Sequence, residues 1–331
     1  MKTEGRPAEI AILAYPRAQS AAIHGLTDLF VEASRISRDL AGTATAPALR
    51  VTHWRSSGRA GALQLSFDTH AGQPSRPSVI IAPPTLAGPP MVETIRPFAA
   101  WMRERHDKGA TLCSICGGTF VLAESGLLHN RPATTHWVYA AELARLYPDI
   151  AVDGDKLIID DGDILTSGGI MSWTDVGLKL VDRFLGSAVM LATARFFLID
   201  TAGREQRFYS TFSPKFDHGD EAVLKVQHWL QKEEGRQATL AAMAIHAGLE
   251  ERTFLRRFRK ATGLNPTEYS QRLRIGKARE MLELTTRTID QVAWAVGYED
   301  PGSFRKIFHK MIGLKPSDYR KRFAVTSSAS P

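Results

Sequence analysis

The last third of the chain contains an internal repeat, and this repeat limits the possible folds more than any other feature. The segment GLNPTEY at 263–269 recurs as GLKPSDY at 313–319, and a pair of phenylalanines precedes each segment at the same distance. Two copies are too few for a solenoid, which needs at least three. In each copy two short helical stretches flank a turn glycine, Gly248 in the first and Gly297 in the second. The pattern therefore predicts two helix–turn–helix units.

The second helix of the first unit, Glu250–Lys260, is predicted to have one buried face and one polar face. A helical wheel places Phe254, Leu255 and Phe258 on the buried side. The opposite side carries the candidate DNA-binding residues Arg252, Thr253, Arg256, Arg257 and Lys260. Such a helix suits the major groove, where Arg contacts guanine edges and Lys neutralises phosphates.

The second helix of the second unit, Pro301–Lys310, repeats this division. Its buried stripe consists of Phe304, Ile307, Phe308 and Met311. Its candidate DNA-binding residues are Ser303, Arg305, Lys306 and His309, with Lys310 beside them. One basic helix is equally well explained as solvated surface, but its recurrence at a fixed offset favours DNA binding. Between the units, Thr267–Leu284 is predicted as one helix of about 27 Å that packs against both, so that both reading helices can enter successive major grooves.

The net charge of +7 is concentrated in the repeated region. Residues 221–331 contain 20 Lys and Arg against 12 Asp and Glu, a net charge of +8, whereas residues 1–220 contain 22 against 23, a net charge of −1. This division predicts a sensing or catalytic unit joined to a nucleic-acid-binding unit.

The first two thirds of the chain alternate short apolar runs with amphipathic stretches. The runs at 9–16, 78–84 and 110–115 are predicted strands, and Ala22–Arg35 and Val92–Lys108 are predicted helices. This alternation indicates an α/β domain with a parallel sheet that is buried on both faces.

Neither the acidic run nor the cysteines indicate a metal site. Asp161-Gly162 lies between two apolar runs and predicts a hairpin that pairs Leu157–Ile159 with Ile164–Thr166. Cys113 and Cys116 have no second pair that would complete a zinc site or a disulfide framework. We therefore expect no metal and no cofactor.

A nucleophile-elbow layout occurs at 110–125, where a strand, a cysteine, two glycines and a helix follow one another. The N-terminus of that helix favours thiolate over thiol at Cys116, and His136 follows twenty residues later. Two interpretations stay open: a Cys–His nucleophilic centre, or a ligand pocket in which Cys116 and His136 are vestigial and no residue is catalytic. The expected pocket residues are Cys116, Gly117, His136, Trp137, Gly169 and Trp173.

Two stretches resemble known families. Ala238–Phe323 resembles the AraC/XylS-type DNA-binding domain along its whole length, as in TIDQVAWAVGYEDPGSFRKIFHKMIGLKPSDYRKRF. Residues 7–200 resemble the ThiJ/PfpI branch of the class I glutamine amidotransferase-like superfamily, through LCSICGGTFVLAESGLL, RPATTHW and LTSGGIMSWTDVGLKLV. The combination is similar to GlxA-family regulators. It implies a flavodoxin-like sheet domain and an all-α DNA-binding domain with two helix–turn–helix units at 221–325. The residues between them, 201–220, are rich in Gly, Ser, Asp and aromatic residues and are predicted to be a linker.

The resemblance implies sequence-specific binding of promoter DNA, with Glu250–Lys260 and Pro301–Lys310 as the reading helices. Gly302 stands where many relatives carry bulkier residues, so the second helix is expected to make fewer base contacts than the first. In enzymes of the ThiJ/PfpI branch, a carboxylate from the first strand–helix loop lies beside the elbow cysteine. The comparable place here falls near Ala21, and no acid follows it before Asp28, which argues against catalysis.

We therefore expect a cytoplasmic transcription factor that is regulated by a small metabolite. The expected partners are double-stranded promoter DNA, an amine or amino-acid-like effector, a second copy of the chain and, as a further candidate, RNA polymerase. No apolar run approaches the ~18 residues of a membrane span and the polar start has no signal-peptide core, so no membrane partner is expected. The alternative is a cysteine-dependent hydrolase, amidase or hydratase that uses Cys116 and His136 and is fused to a DNA-binding domain.

Overall fold

The computed structural model describes residues 7–43, 48–58, 62–200, 205–236 and 238–325. The chain divides into two units, Met1–Gln206 and Arg207–Pro331. Of the linker expected at 201–220, residues 201–204 lie outside the described residues. None of the helices in these ranges is long and apolar enough to cross a lipid bilayer.

A mostly parallel sheet forms the centre of the first unit. Its strands are β1 (Ala8–Leu13), β2 (Leu49–Ser56), β3 (Leu63–Asp68), β4 (Val79–Ala82), β5 (Thr111–Ile115), β6 (Pro132–Ala133), β7 (Ala151–Val152), β8 (Ile158–Asp160) and β9 (Ile164–Ser167). The main sheet has the order β3-β2-β1-β4-β5-β9-β8, and β6 pairs with β7 separately. From β2 across to β9 in this order, neighbouring strands are parallel, whereas β3 and β8 are antiparallel edge strands. The α/β class and the β8–β9 hairpin are thus confirmed.

Two strands are shorter than the sequence predicts. β1 ends at Leu13, before the predicted end at 16, and β4 ends at Ala82, before the predicted end at 84. The residues at 16, 83 and 84 are prolines. A proline has no N–H to donate to a neighbouring strand, so β4 stops directly before Pro83. Beside β1 the last bond runs from the Ala14 N–H to the Trp54 carbonyl, two residues before Pro16.

Helices cover both faces of this sheet. They are α1 (Ser20–Ala41), α2 (Val92–His106), α3 (Gly118–Glu124), α4 (Ala140–Leu146), α5 (Trp173–Leu185) and α6 (Ser187–Phe196). Ala11 and Leu13 of β1 pack with α2 and α3, and Ile10 and Ile12 pack with α1 and α5, as the alternation of side chains along a strand requires. α1 runs six residues beyond its predicted end and stops at Gly42, whose φ of 62° ends the helix.

The second unit is helical. A 3₁₀ turn at Gln206–Phe208 leads into it, and its helices are α7 (Glu221–Lys232), α8 (Leu240–Ala247), α9 (Glu251–Thr262), α10 (Pro266–Leu284), α11 (Ile289–Ala295), α12 (Pro301–Ile312) and α13 (Pro316–Phe323). The sequence repeat corresponds to the helix pairs α8–α9 and α11–α12, as predicted.

The two copies of the sequence repeat also share the same packing contacts between aromatic side chains. In the first copy the ring of Tyr269 meets Phe258 edge-on with centroids 5.2 Å apart, and in the second Tyr319 meets Phe308 at 5.5 Å. α10 contributes to both cores, with Tyr269 in the first and three of its apolar side chains in the second. The prediction of one helix that packs against both helix–turn–helix units is confirmed.

Candidate nucleic-acid interface and elbow pocket

Glycines and caps fix where each reading helix begins and ends. α8 ends at Gly248 and α9 ends at Gly263, with φ of 67° and 76° in the left-handed region that glycine adopts without strain. The carboxylate of Asp300 caps α12 by accepting from the N–H groups of Gly302 and Ser303 at 3.0 and 2.8 Å. α12 therefore has a capped start and α9 has an end fixed by Gly263, whereas Glu250 before α9 makes no side-chain cap.

α9 presents a cationic outer surface, which we call the α9 face. Its exposed members are Arg252, Leu255, Arg256, Arg259 and Lys260. Phe254 and Phe258 are fully buried, as predicted. The prediction that Leu255 is buried is wrong, because its side chain is 37% exposed. Leu255 lies about 100° around the helix from Phe254, so it falls outside the narrow stripe that the core of this unit covers.

Arg257 lies at the edge of the α9 face, where its side chain is 38% exposed and forms an ion pair. Its Nε and Nη2 donate to the two carboxylate oxygens of Asp220 at 2.9 and 2.6 Å. Asp220 also caps α7 by accepting from the N–H of Val223. The hydrogen bonds from Arg257 hold the pKa of Asp220 below its usual range. The guanidinium predicted to contact DNA thus ties α9 to the start of α7, while Thr253 is half-buried at the edge of the face.

The outer surface of α12 has fewer hydrogen-bond donors that are free to contact DNA than the α9 face has. The exposed residues of this α12 face are Ser303, Arg305, Lys306, His309 and Lys310. Arg305 forms an ion pair with Asp290 of α11, and the Ser303 hydroxyl donates to Asp300 at 2.8 Å. Gly302 occupies the position that Arg252 occupies in the first copy, so this face also lacks one side chain.

The elbow expected around Cys116 is present. Cys116 follows β5 directly and has a φ of 54°, a strained conformation for a residue with a side chain. Its N–H donates to the carbonyl of Ser167 at 2.7 Å. A Cβ added to Gly117 would lie 2.2 Å from the Thr85 hydroxyl, and one added to Gly118 would lie 2.2 Å from the Ala82 carbonyl. Both glycines are therefore required by close packing against β4 and the loop after it.

The pKa of the Cys116 thiol is shifted in the opposite direction to the one that the helix N-terminus favours. The side chain is fully buried, and this burial raises the pKa of the thiol to about 12, against a smaller lowering by the Gly117 N–H. The loss of hydration outweighs the dipole of α3, which is only seven residues long. Among the described residues, no hydrogen bond or ion pair joins the Cys116 thiol to His136 or to a carboxylate. The geometry is that of an elbow, but the thiol is neutral at physiological pH.

The remaining pocket residues divide between the elbow and the core. His136 is half-buried, accepts from the Val138 N–H at 3.2 Å and has its pKa lowered by burial. Its ring lies 5.6 Å from those of Trp137 and Tyr139. The Thr135 hydroxyl, next in the chain, donates to the Cys116 carbonyl at 2.7 Å, so Cys116, Gly117, His136 and Trp137 belong to one neighbourhood.

Trp173 and Gly169 lie on the segment that precedes and begins α5. The indole of Trp173 packs on Gly25 of α1, where an added Cβ would lie 2.6 Å from the ring. Gly169 has a φ of 81° and lies beside Leu157. Trp173 is therefore largely a packing residue.

No group of three or more His, Cys, Asp or Glu side chains that could hold a metal ion occurs in the part of the chain that the structure describes.

Gln206 supports the segment that carries His136, and sequence reasoning missed it. Its side chain is 3% exposed, and its Nε2 donates to the carbonyls of Thr135 and Lys156 at 2.8 Å each. Its Oε1 accepts from the N–H of Trp137 at 3.0 Å. A Cβ on Gly168 would lie 1.9 Å from the same Nε2. Gln206 thus holds the segment that carries His136, although it comes seventy residues later in a polar stretch with no pattern.

Comparisons with known proteins match both units. A family model for the DJ-1/PfpI family matches residues 43–183, and one for a helix-turn-helix domain matches residues 243–322. The HTH-type transcriptional regulator GlxA of Rhizobium meliloti is 27% identical over 224 residues, covering 67% of this chain and 68% of the relative. The HTH-type transcriptional regulator CdhR of Pseudomonas aeruginosa is 26% identical over 231 residues, covering 70% and 68%. The crystal structure of an AraC family transcriptional regulator from Pseudomonas putida matches with a TM-score of 0.44 and 15% identity, covering 58% of this chain and 100% of that one.

Proposed function

We propose that this chain, an AraC-type transcriptional regulator with a DJ-1/PfpI domain, reads promoter DNA with α9 and α12 in response to a small metabolite. The observation that carries the proposal is the duplicated packing, which exposes a cationic helix face twice. The working division is a sensor at 7–200, a linker at 201–220 and a DNA-binding domain at 221–325.

On the DNA side, α9 is the principal reading helix. Arg252 and Arg256 can each present two N–H donors to a guanine, and Lys260 can neutralise a phosphate. α12 adds Lys306 and His309, and its Arg305 must leave Asp290 or share it before it can contact a base. The difference between the two faces supports a larger contribution to base contacts from the first helix–turn–helix unit.

On the sensor side, we propose a pocket without turnover. A neutral, fully buried thiol that makes no hydrogen bond to His136 or to a carboxylate within the described ranges is a poor nucleophile, so the hydrolase, amidase or hydratase alternative is not favoured. The half-buried Trp137 supplies an aromatic ring on which an amine can stack, with His136 beside it and Cys116, Gly117 and Gly169 as the wall. These features support an amine or amino-acid-like effector.

The proposed setting follows from the DNA-binding role. A regulator of promoters works in the cytoplasm, where its DNA lies. We propose that it acts as a homodimer, since a second copy doubles the number of reading helices on one site, and that RNA polymerase is its partner once it is bound.

The test is DNA binding by the full chain, followed by fluorescence anisotropy. Duplexes selected in vitro by the protein are compared with scrambled duplexes at several salt concentrations, and affinity is expected to fall steeply with salt. Arg256→Ala should reduce discrimination between the two by about 1–3 kcal/mol. Lys225→Ala on α7, an exposed residue of the same charge, is the matched control and should leave discrimination unchanged. Equal affinity of the wild type for selected and scrambled duplexes would overturn the proposal.

The effector is sought by thermal shift of the full chain with amines, amino acids and carboxylates. A ligand of the folded state raises the melting temperature in proportion to RT ln(1 + [L]/Kd). Trp137→Ala should abolish the shift given by the wild-type ligand, whereas Trp294→Ala, an exposed tryptophan of the second unit, should preserve it.

A further inference from the structure

We infer that Leu255 is a specificity-determining residue that contacts the C5-methyl group of a thymine in the recognised site. The inference rests on the proposed function, since it assigns a role within the α9 face. It concerns which base is read at one position, which neither the charge of the face nor the family match specifies.

The placement of Leu255 puts an apolar side chain inside a row of guanidinium groups. Arg252 precedes it by three residues and Arg259 follows it by four, so both are its neighbours along one side of the helix. Arg256 is adjacent in the chain, and all three are exposed. Any surface that these arginines approach is therefore also approached by the Leu255 side chain.

The core of the second helix–turn–helix unit does not require leucine at the equivalent position. The residue fifty positions later is Arg305, whose side chain is 49% exposed. The buried pair Phe254 and Phe258 recurs as Phe304 and Phe308, all fully buried. The repeat therefore preserves the packing positions and leaves the position of Leu255 free to carry either a charged or an apolar group.

In a major groove the chemistry available to this side chain is narrow. The base edges offer hydrogen-bond donors and acceptors that leucine cannot use, and the one apolar group is the thymine methyl. Isolated exposed leucines are common on protein surfaces and need no explanation. This one lies among the proposed base-reading arginines, where an uncharged side chain reduces the attraction to phosphate and gains only from an apolar contact.

The test removes the methyl group alone. In a duplex selected by the full chain, each thymine is replaced in turn by deoxyuridine, and affinities are measured by anisotropy. Burying one methyl group corresponds to a change of about fourfold. The wild type is expected to lose affinity by about that factor at one thymine, and Leu255→Ala is expected to bind the thymine and deoxyuridine duplexes equally.

Ile245→Ala is the matched control, because Ile245 is an exposed aliphatic residue on α8, outside the α9 face. It should keep the wild-type sensitivity to deoxyuridine. The inference is overturned if no thymine responds in the wild type, or if Leu255→Ala keeps the full response. A protein that selects no duplex at all overturns the proposed function as well, so the two failures are distinguishable.

Discussion

Alkylation of Cys116 distinguishes a ligand pocket from a catalytic one. Burial raises the pKa of this thiol to about 12, against about 8.5 for a free cysteine. At pH 7.5 the thiolate fraction is therefore on the order of a thousandfold smaller than that of a free cysteine, and only the thiolate attacks iodoacetamide. Since the side chain is also fully buried, the reaction should be at least this much slower.

The measurement is the rate of iodoacetamide labelling between pH 7 and pH 11, followed by mass spectrometry of the peptide that contains Cys116. Because the pKa lies above this range, the rate should rise about tenfold per pH step of one without reaching a plateau. Cys113 is buried in β5, and its pKa is also raised to about 12 by burial, so it should react at a similarly low rate. No Lys or Arg separates the two cysteines, so fragmentation of their shared tryptic peptide is used to assign the label to one or the other. Protein unfolded in guanidinium chloride gives the reference rate for both thiols.

Two results would refute the reasoning. One is a plateau with a midpoint below about pH 9, which would mean that the pocket stabilises the thiolate. The other is labelling of Cys116 at pH 7.5 as fast as in the unfolded protein. Either would return the elbow to the nucleophilic role for which this geometry is suited.

Three further predictions concern His53, a buried histidine of β2 whose ring pairs with the Thr27 hydroxyl of α1 at 2.8 Å, and the supports of the two sites. Burial lowers the pKa of His53 to about 4, and the unfolded chain takes up this proton near pH 6.5, so stability should fall by up to about 3 kcal/mol as the pH drops from 6.5 towards 4; His53→Gln should flatten this dependence in thermal melts, and an unchanged slope would contradict it. Gln206→Ala should lower the free energy of unfolding of the first unit by about 1–3 kcal/mol, since it leaves the buried Trp137 N–H without its acceptor and removes one donor from each of the Thr135 and Lys156 carbonyls; an unchanged urea midpoint would count against it. Arg257→Ala should lower the melting temperature of the full chain but preserve discrimination between selected and scrambled duplexes, and a loss of discrimination would show that Arg257 reads bases.

The repeat shows what could be predicted from the sequence. Packing residues recur at fixed offsets, so the positions of Phe254 and Phe304 in the sequence were enough to predict two cores and two reading helices. The boundary of the outer face could not be obtained in this way. Leu255 and Arg257 lie on opposite flanks of the buried stripe, and which flank is covered depends on the position of α7 and Asp220, a residue 37 positions earlier.

The elbow shows a second limit. The order of strand, cysteine and glycines predicted the backbone of Cys116, because close packing at Gly117 and Gly118 is a local demand of that turn. The ionisation of the thiol depends on how much water the surrounding chain excludes. That quantity is set by the whole first unit, so the local motif alone does not determine the pKa of the thiol.

The hydrogen bonds of Gln206 determine where the first unit can be truncated without losing native contacts. A fragment of the first unit that stops short of Gln206 loses the amide that holds the carbonyls of Thr135 and Lys156 and exposes the space above Gly168. Transplanting this sensor onto another DNA-binding partner, or expressing it alone for ligand screening, therefore calls for a junction after Gln206. A fusion that keeps this glutamine retains the hydrogen bond from the Trp137 N–H to its side chain. A shorter fusion lacks that bond and the two bonds to the Thr135 and Lys156 carbonyls.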